Sequence, residues 1–151
     1  MSSTSNENII AQIRANKKPI TQGLMLSIDP ASNILGYAVY VGGKLDNSGR
    51  IIATPKATIN VRLHDLVSKL PKVKPDVLVI ETARTGTGHV FLVWAVGAII
   101  AHYGAPTIEI PQRLWRNIQD AEYVKSDETD AIYIGRYVVS TANGDTIILK
   151  R

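Results

Sequence analysis

The sequence predicts an α/β domain, a mixed sheet with helices on its faces. Three observations carry that expectation. The chain opens its ordered part with three β-rich runs joined by short turn signals, which pair as neighbours. Beyond them, apolar runs of strand length alternate with stretches of helical periodicity. The length of 151 residues, with 45% apolar side chains, is enough for one domain with a real core.

Residues 1–22 mix Ser, Asn, Thr and Gln with the basic residues Arg14, Lys17 and Lys18, and are expected to be a mobile basic arm. Ile9, Ile10 and Ile13 recur at helical spacing, but a helix over Asn8–Ala15 is marginal without a surface to dock on. Leu24–Ile28 is an apolar strand ended by Asp29-Pro30. Ile34–Val41 and Leu45–Ala53 follow as a hairpin around Gly42-Gly43. Ala57–Leu70 reads as a helix closed by Pro71, with Val61, Leu63, Leu66, Val67 and Leu70 on or near one face.

Val77–Ile80, bounded by Pro75-Asp76 and Glu81, is a continuous apolar run of the kind found in central parallel strands. A Gly/Thr loop, Thr85–Gly88, leads into Val90–Tyr103, a helix apolar nearly all round that must be buried on more than one side or at a subunit interface. Thr107–Ile110 is a short strand ended by Pro111, and Gln112–Ile118 forms one or two turns. Asp127 to about Ser140 reads as a final helix from the spacing of Ala131, Ile134, Tyr137 and Val138. A hairpin around Asn143-Gly144 is the competing reading.

Zero cysteines exclude disulfides, thiolate metal ligation and cysteine nucleophiles, so any metal must rest on oxygen or imidazole. His64, His89 and His102 have no metal-binding spacing. The formal charge of +4 leans toward a polyanionic partner. The Val90–Tyr103 stretch falls short of the roughly 20 residues that span a bilayer. The polar first eight residues resemble neither a secretory signal nor a transit peptide, so a cytoplasmic location is expected.

The chemistry gathers at acids. Met25, Ser27 and Asp29 share one strand face, as do Val77, Val79 and Glu81, and both runs place a carboxylate at the strand's C-terminal end. As parallel neighbours they stand roughly 5 Å apart, in the crevice where open α/β sheets hold ligands. Like charges so close repel, and a divalent cation resolves the repulsion. Asp127 and Asp130, three apart, share a helix face; each also suits the first turn of a helix, Asp127 as its cap. Glu128 points elsewhere on that helix, toward solvent.

Ser27-Ile28-Asp29-Pro30-Ala31-Ser32 with Gly36-Tyr37, Val79-Ile80-Glu81, and Asp127-Glu128-Thr129-Asp130-Ala131 resemble, in order, the three acidic motifs of RuvC-type Holliday-junction resolvases, as a divergent and shortened member. The resemblance implies a ribonuclease H-like domain over residues 23–151, with a mixed five-stranded sheet ordered 3-2-1-4-5 and helices on both faces. It implies a metal-dependent endonuclease that resolves four-way DNA junctions, with Asp29, Glu81, Asp127 and Asp130 as catalytic residues and ligands of two Mg²⁺ ions, Mn²⁺ substituting. It also implies a homodimer, here expected through Val90–Tyr103. Ala31 and Thr82 stand where the family usually has Gly and Gln, and the stretch between Trp115 and Asp127 is shorter than in relatives.

Candidate DNA contacts are Lys125, Arg84, Arg113, Arg116, Trp115 as a stacking residue between its arginines, Phe91 as a wedge, and the arm's Arg14, Lys17 and Lys18. The alternatives are a non-catalytic nucleic-acid-binding domain of the same fold, which the acid cluster disfavours because it repels phosphate without metal, and a broader branched-DNA or RNA nuclease. An actin- or sugar-kinase-like reading needs a second domain that this length cannot supply, and Thr85-Gly86-Thr87-Gly88 lacks the Lys-Ser/Thr of a P-loop.

Overall fold

A computed structural model of the chain describes residues 3–30, 34–53, 58–82 and 90–145. Its elements are α1 (Ser3–Ala15), α2 (Lys17–Gln22), β1 (Leu24–Asp29), β2 (Ile34–Val41), β3 (Lys44–Ile52), α3 (Ile59–Lys69), β4 (Val77–Glu81), α4 (Val90–Tyr103), β5 (Thr107–Ile110), α5 (Gln112–Trp115) with a 3₁₀ turn over Arg116–Ile118, and α6 (Asp127–Ala142). The strands form one five-stranded sheet in the order β3-β2-β1-β4-β5. β1 runs antiparallel to β2 and parallel to β4, β2 antiparallel to β3, and β4 parallel to β5. This is the expected order.

Local chemistry explains the connections. Val41 pairs with Lys44, leaving a two-residue turn in which Gly42 and Gly43 adopt φ of 61° and 80°, a conformation that other residues take only with strain. The apolar runs of β1 and β4 place alternate residues on two faces, and each face has its own core. Met25, Ala38, Tyr40, Val77, Val79, Ile108 and Ile110 meet α1, α2, α5 and α6. Leu26, Ile28, Leu35, Val39, Ile51, Leu78 and Ile80 meet α3 and α4. On α3, Val61 is exposed rather than on the buried face expected of it.

The first 22 residues require a correction. They form the two helices α1 and α2, separated by a turn at Asn16, and Ile13 and Ile20 are fully buried in the α6-side core, with Ile9 packed against it. The docking surface that a short helix needs exists, supplied by segments about a hundred residues away. α6 is helical through Ala142, which removes the hairpin reading of Tyr137–Thr141; Thr146–Leu149 lies outside the described residues. Among the described residues, no helix is long and apolar enough to cross a membrane.

Candidate functional site

β1 and β4 pair in parallel with Ile28 opposite Ile80, so the next position on each strand, Asp29 and Glu81, brings the two acids side by side. Asp29 is 6% exposed, and its carboxyl is hydrogen-bonded to that of Glu81. Two carboxylates this close disfavour each other's ionisation. Burial first, then the bond to Glu81 and repulsion from Glu81, Asp130 and Asp127, raise Asp29 far above the usual carboxylate range.

α6 delivers the other two acids. Its cap is Ser126, not Asp127: the Ser126 hydroxyl accepts from the Thr129 N–H at 3.0 Å, which frees Asp127 from the capping role. The helix lies against β2 with little clearance. A Cβ on Gly36 would come within 1.8 Å of the Asp127 carbonyl oxygen, and one on Gly135 within 2.2 Å of the Tyr40 ring. Three side chains of the sheet then tie the helix down. Ser27 donates to the Ala131 carbonyl at 2.8 Å, Tyr40 to that of Ile132 at 2.5 Å, and Ser48 to the Glu128 carboxylate at 2.6 Å. Glu128 is therefore an anchor of the helix on β3 and not a solvated charge.

Asp130 is 8% exposed and accepts a hydrogen bond from the Tyr123 hydroxyl. Asp127 is half-buried; burial and Asp130 raise its pKa, while Arg50 and Lys125 oppose the rise.

Two hollows share Asp130 and Gln112 as a wall. One, of about 110 Å³, is lined by Asp29, Pro30, Glu81, Thr82, Leu92, Gln112 and Asp130. Its neighbour, of about 180 Å³, is lined by Gln112, Trp115, Arg116, Gln119, Tyr123, Lys125 and Asp130. An acidic hollow thus adjoins one bearing two cations. A larger hollow of about 550 Å³ lies at the starts of β4 and β5, the end of the strands opposite to that where such sheets hold ligands.

Among the described residues no three acids or histidines stand as a ready metal cage. Asp29 and Glu81 are bonded to each other, and Asp130 to Tyr123. The donor set itself fits a hard divalent cation: every donor is a carboxylate oxygen, and the acids raise one another's pKa because no cation among the described residues faces Asp29 closely enough to oppose them.

Of the other expected residues, Lys125 and Arg116 are exposed beside Asp130. Trp115 is 1% exposed and belongs to the core, so it offers no stacking face; the short helix turns Arg113 and Arg116 outward and the indole inward. Phe91 is packed on the opposite side of the sheet beneath the Arg62 guanidinium, 3.8 Å from its ring centre, and is not placed as a wedge. Arg113 donates to Asn6 of α1 at 2.8 Å.

Lys17 and Lys18 are exposed on α2, and Lys18 lines a hollow at the starts of β1 and β4, about 15 Å from the acids along the strand. Arg14 acts on Tyr137, about 10 Å along α6 from Asp130. His64 and His102 border a groove between α3 and α4. Arg84 and His89 lie outside the described residues.

The sequence reading missed Gly36 as the floor that admits α6, and missed Arg50, Gln112 and Tyr123. The Gly36-Tyr37 pair was visible as part of a motif, but its purpose shows only once α6 is in place.

At the sequence level no family model matches the chain, and no curated protein does. The fold is that of the ribonuclease H-like class, in its RuvC-like form. The particular likeness is to Thermus thermophilus RuvC. One structure of that protein, in complex with a Holliday junction substrate, is 17% identical with a TM-score of 0.61, the match covering 76% of this chain and 90% of that one. A second is 18% identical with a TM-score of 0.62, covering 80% and 96%.

Proposed function

We propose that the chain is a divalent-cation-dependent, structure-selective endonuclease that hydrolyses phosphodiesters in four-way DNA junctions. The observation that supports it most is the placement of Asp29 and Glu81 at neighbouring ends of β1 and β4 with Asp130 lining the same hollow, and Asp127 near enough to act on Asp29. The likeness to a protein solved with a junction substrate points to the substrate class.

Asp29, Glu81, Asp127 and Asp130 would hold Mg²⁺ or Mn²⁺. Bound there, two such ions supply charge neutralisation on the phosphate, activation of a water, and stabilisation of the leaving 3′ oxygen. The chain's own part is to keep the acids converged on rigid elements. Lys125 and Arg116 then grip the backbone phosphate next to the reacting one. Arg50, which acts on Asp127 from β3, extends that basic rim to the other side.

Cutting two strands of a junction needs two sites, and α4 is suited to join them. Val90, Val93 and Trp94 are exposed on it, and Gly97 and Ala101 continue the same outward face with small residues that allow close approach of a second helix. A two-fold dimer through this face is the assembly we propose.

The deciding experiment compares four-way junction, duplex, flap and RNA–DNA hybrid substrates with and without Mg²⁺. Selective, Mg²⁺-dependent nicking of the junction is expected. Binding without cleavage in Mg²⁺ or Mn²⁺ would overturn the enzymatic reading, and preferential cleavage of the hybrid would replace the substrate.

A further inference from the structure

The turn ahead of α6 is fastened to that helix by two tyrosine–aspartate bonds running in opposite directions. Tyr123 of the turn donates to Asp130 of the helix, and Tyr133 of the helix donates to Asp120 of the turn at 2.6 Å. The two rings meet edge to face, with centres 5.2 Å apart and planes at 88°. Asp120 also accepts the Glu122 N–H at 3.1 Å and faces the Arg136 guanidinium at 3.7 Å, which itself lies 4.5 Å over the Tyr133 ring. The Tyr123 N–H closes the turn onto the Asp120 carbonyl at 3.1 Å. Every group that orients Tyr123 is thus itself held.

Asp130 is the wall between the acidic hollow and the basic one, and Tyr123 lines only the basic side. Its hydroxyl takes Oδ1. A carboxylate that binds a cation through one oxygen is aimed by a hydrogen bond on the other, and such partners typically govern affinity by about 10- to 100-fold. We infer that Tyr123 is a positioning residue: it fixes the Asp130 carboxylate by Oδ1 so that Oδ2 is presented to the cation held with Asp29 and Glu81. The Tyr133–Asp120 bond keeps the turn in place but does not touch the acid. This inference rests on the reading of the acids as a cation site.

The test is a calorimetric titration of the full chain with Mn²⁺ in the absence of DNA, together with thermal unfolding in chelator. Tyr123→Phe, which keeps the ring and removes the hydroxyl, should weaken Mn²⁺ by about tenfold or more and lower the melting temperature in chelator no more than Tyr133→Phe does. Tyr133→Phe, which cuts only the return bond, should lower the melting temperature and leave Mn²⁺ affinity near wild type. Equal loss of affinity in both variants, tracking their loss of stability, would reduce Tyr123 to scaffolding and overturn the inference. So would a Tyr123→Phe protein that binds Mn²⁺ like wild type while Asp130→Asn and Asp29→Asn do not. If those two aspartate variants also bind like wild type, it is the cation site itself that fails. Should Tyr123→Phe not fold, the double variant cycle is run with Tyr123→Trp, and additivity with Asp130→Asn would again overturn the role.

Discussion

α4 and α6 lie on opposite faces of the same sheet and are held to different degrees. α4 is the more apolar helix, yet it buries only Ala95, Val96 and Ile99, and Trp94 is 49% exposed. α6 carries acids, tyrosines and glycine, yet nine of its residues are buried and three side chains of the sheet hydrogen-bond to it. Apolar contact alone is non-directional and leaves a helix free to rotate or shift slightly, whereas a hydrogen bond with a narrow range of length and angle does not. Asp127 and Asp130 sit on the helix tied to the sheet by three side chains, whereas α4, whose Tyr103 donates to the Pro71 carbonyl at 2.7 Å, leaves Val90, Val93 and Trp94 exposed.

That contrast is testable, beginning with the largest effect. Asp29→Asn on the α6 side should lower junction cleavage by about 10³-fold or more while binding is kept or improved, measured by single-turnover cleavage and by gel shift, with the oligomeric state unchanged. The same variant sharpens the electrostatic reading. Asp29 is raised in the fold above its ordinary value of 3.8, so in chelator its contribution to stability is fully present below that pH and is lost as pH rises through the folded value. Asp127 is raised with the same sign. Asp29→Asn should therefore melt higher than wild type at neutral pH in chelator, by about 2–4 °C for each kcal/mol gained, and the two should converge as pH falls toward 4. A variant that cuts normally would remove the role of Asp29.

Next in size is the core beneath α6. Ile20→Ala should cost about 2–5 kcal/mol in urea unfolding, because the side chain is fully buried; an unchanged midpoint would return the first 22 residues to the status of a loose arm. Gly36→Ala should cost about 1–3 kcal/mol by overpacking and should also reduce cleavage, since the methyl meets the Asp127 carbonyl. Trp94→Glu on α4 should change the unfolding free energy by about 0.5 kcal/mol or less, yet shift the assembly to a monomer in light scattering. If Trp94→Glu instead unfolds the protein and Gly36→Ala is neutral, the roles of the two helices are reversed.

Much of this was legible in the sequence because it depended on local period. Val77–Ile80 reads as a strand from four apolar residues in a row, and Ala131, Ile134, Tyr137 and Val138 mark the inner stripe of α6. The acids were legible because strand alternation assigns Asp29 and Glu81 to one face before any pairing is known. What was not legible depended on distant partners. Ile13 and Ile20 are separated by polar and basic residues, and only the finished surface of β5 and α6 explains them. Trp115 between two arginines suggested a nucleic-acid patch, but neighbours on a helical turn point in different directions, and here the indole points inward. Tyr123 lies in a stretch with no period at all, and its importance comes from a hydroxyl that finds Asp130 seven residues on.

The bond from Ser27 to Ala131 joins positions 104 residues apart in the chain. Pairing β1 with β4 closes a loop of about fifty residues, and docking α6 closes one about twice as long, at an extra entropic cost of about 0.6 kcal/mol for that doubling. Contacts so non-local slow folding as a whole. The hairpin of β2 and β3 and the parallel β1–β4 ladder can assemble while the last helix is still unformed, and at that stage Asp29 and Glu81 stand without Asp127 and Asp130. A growing or partly folded chain therefore has half of its acids in register and the other half elsewhere. If the acids hold a cation as proposed, that ability depends on the docking of α6 over Gly36, which brings Asp127 and Asp130 to Asp29 and Glu81.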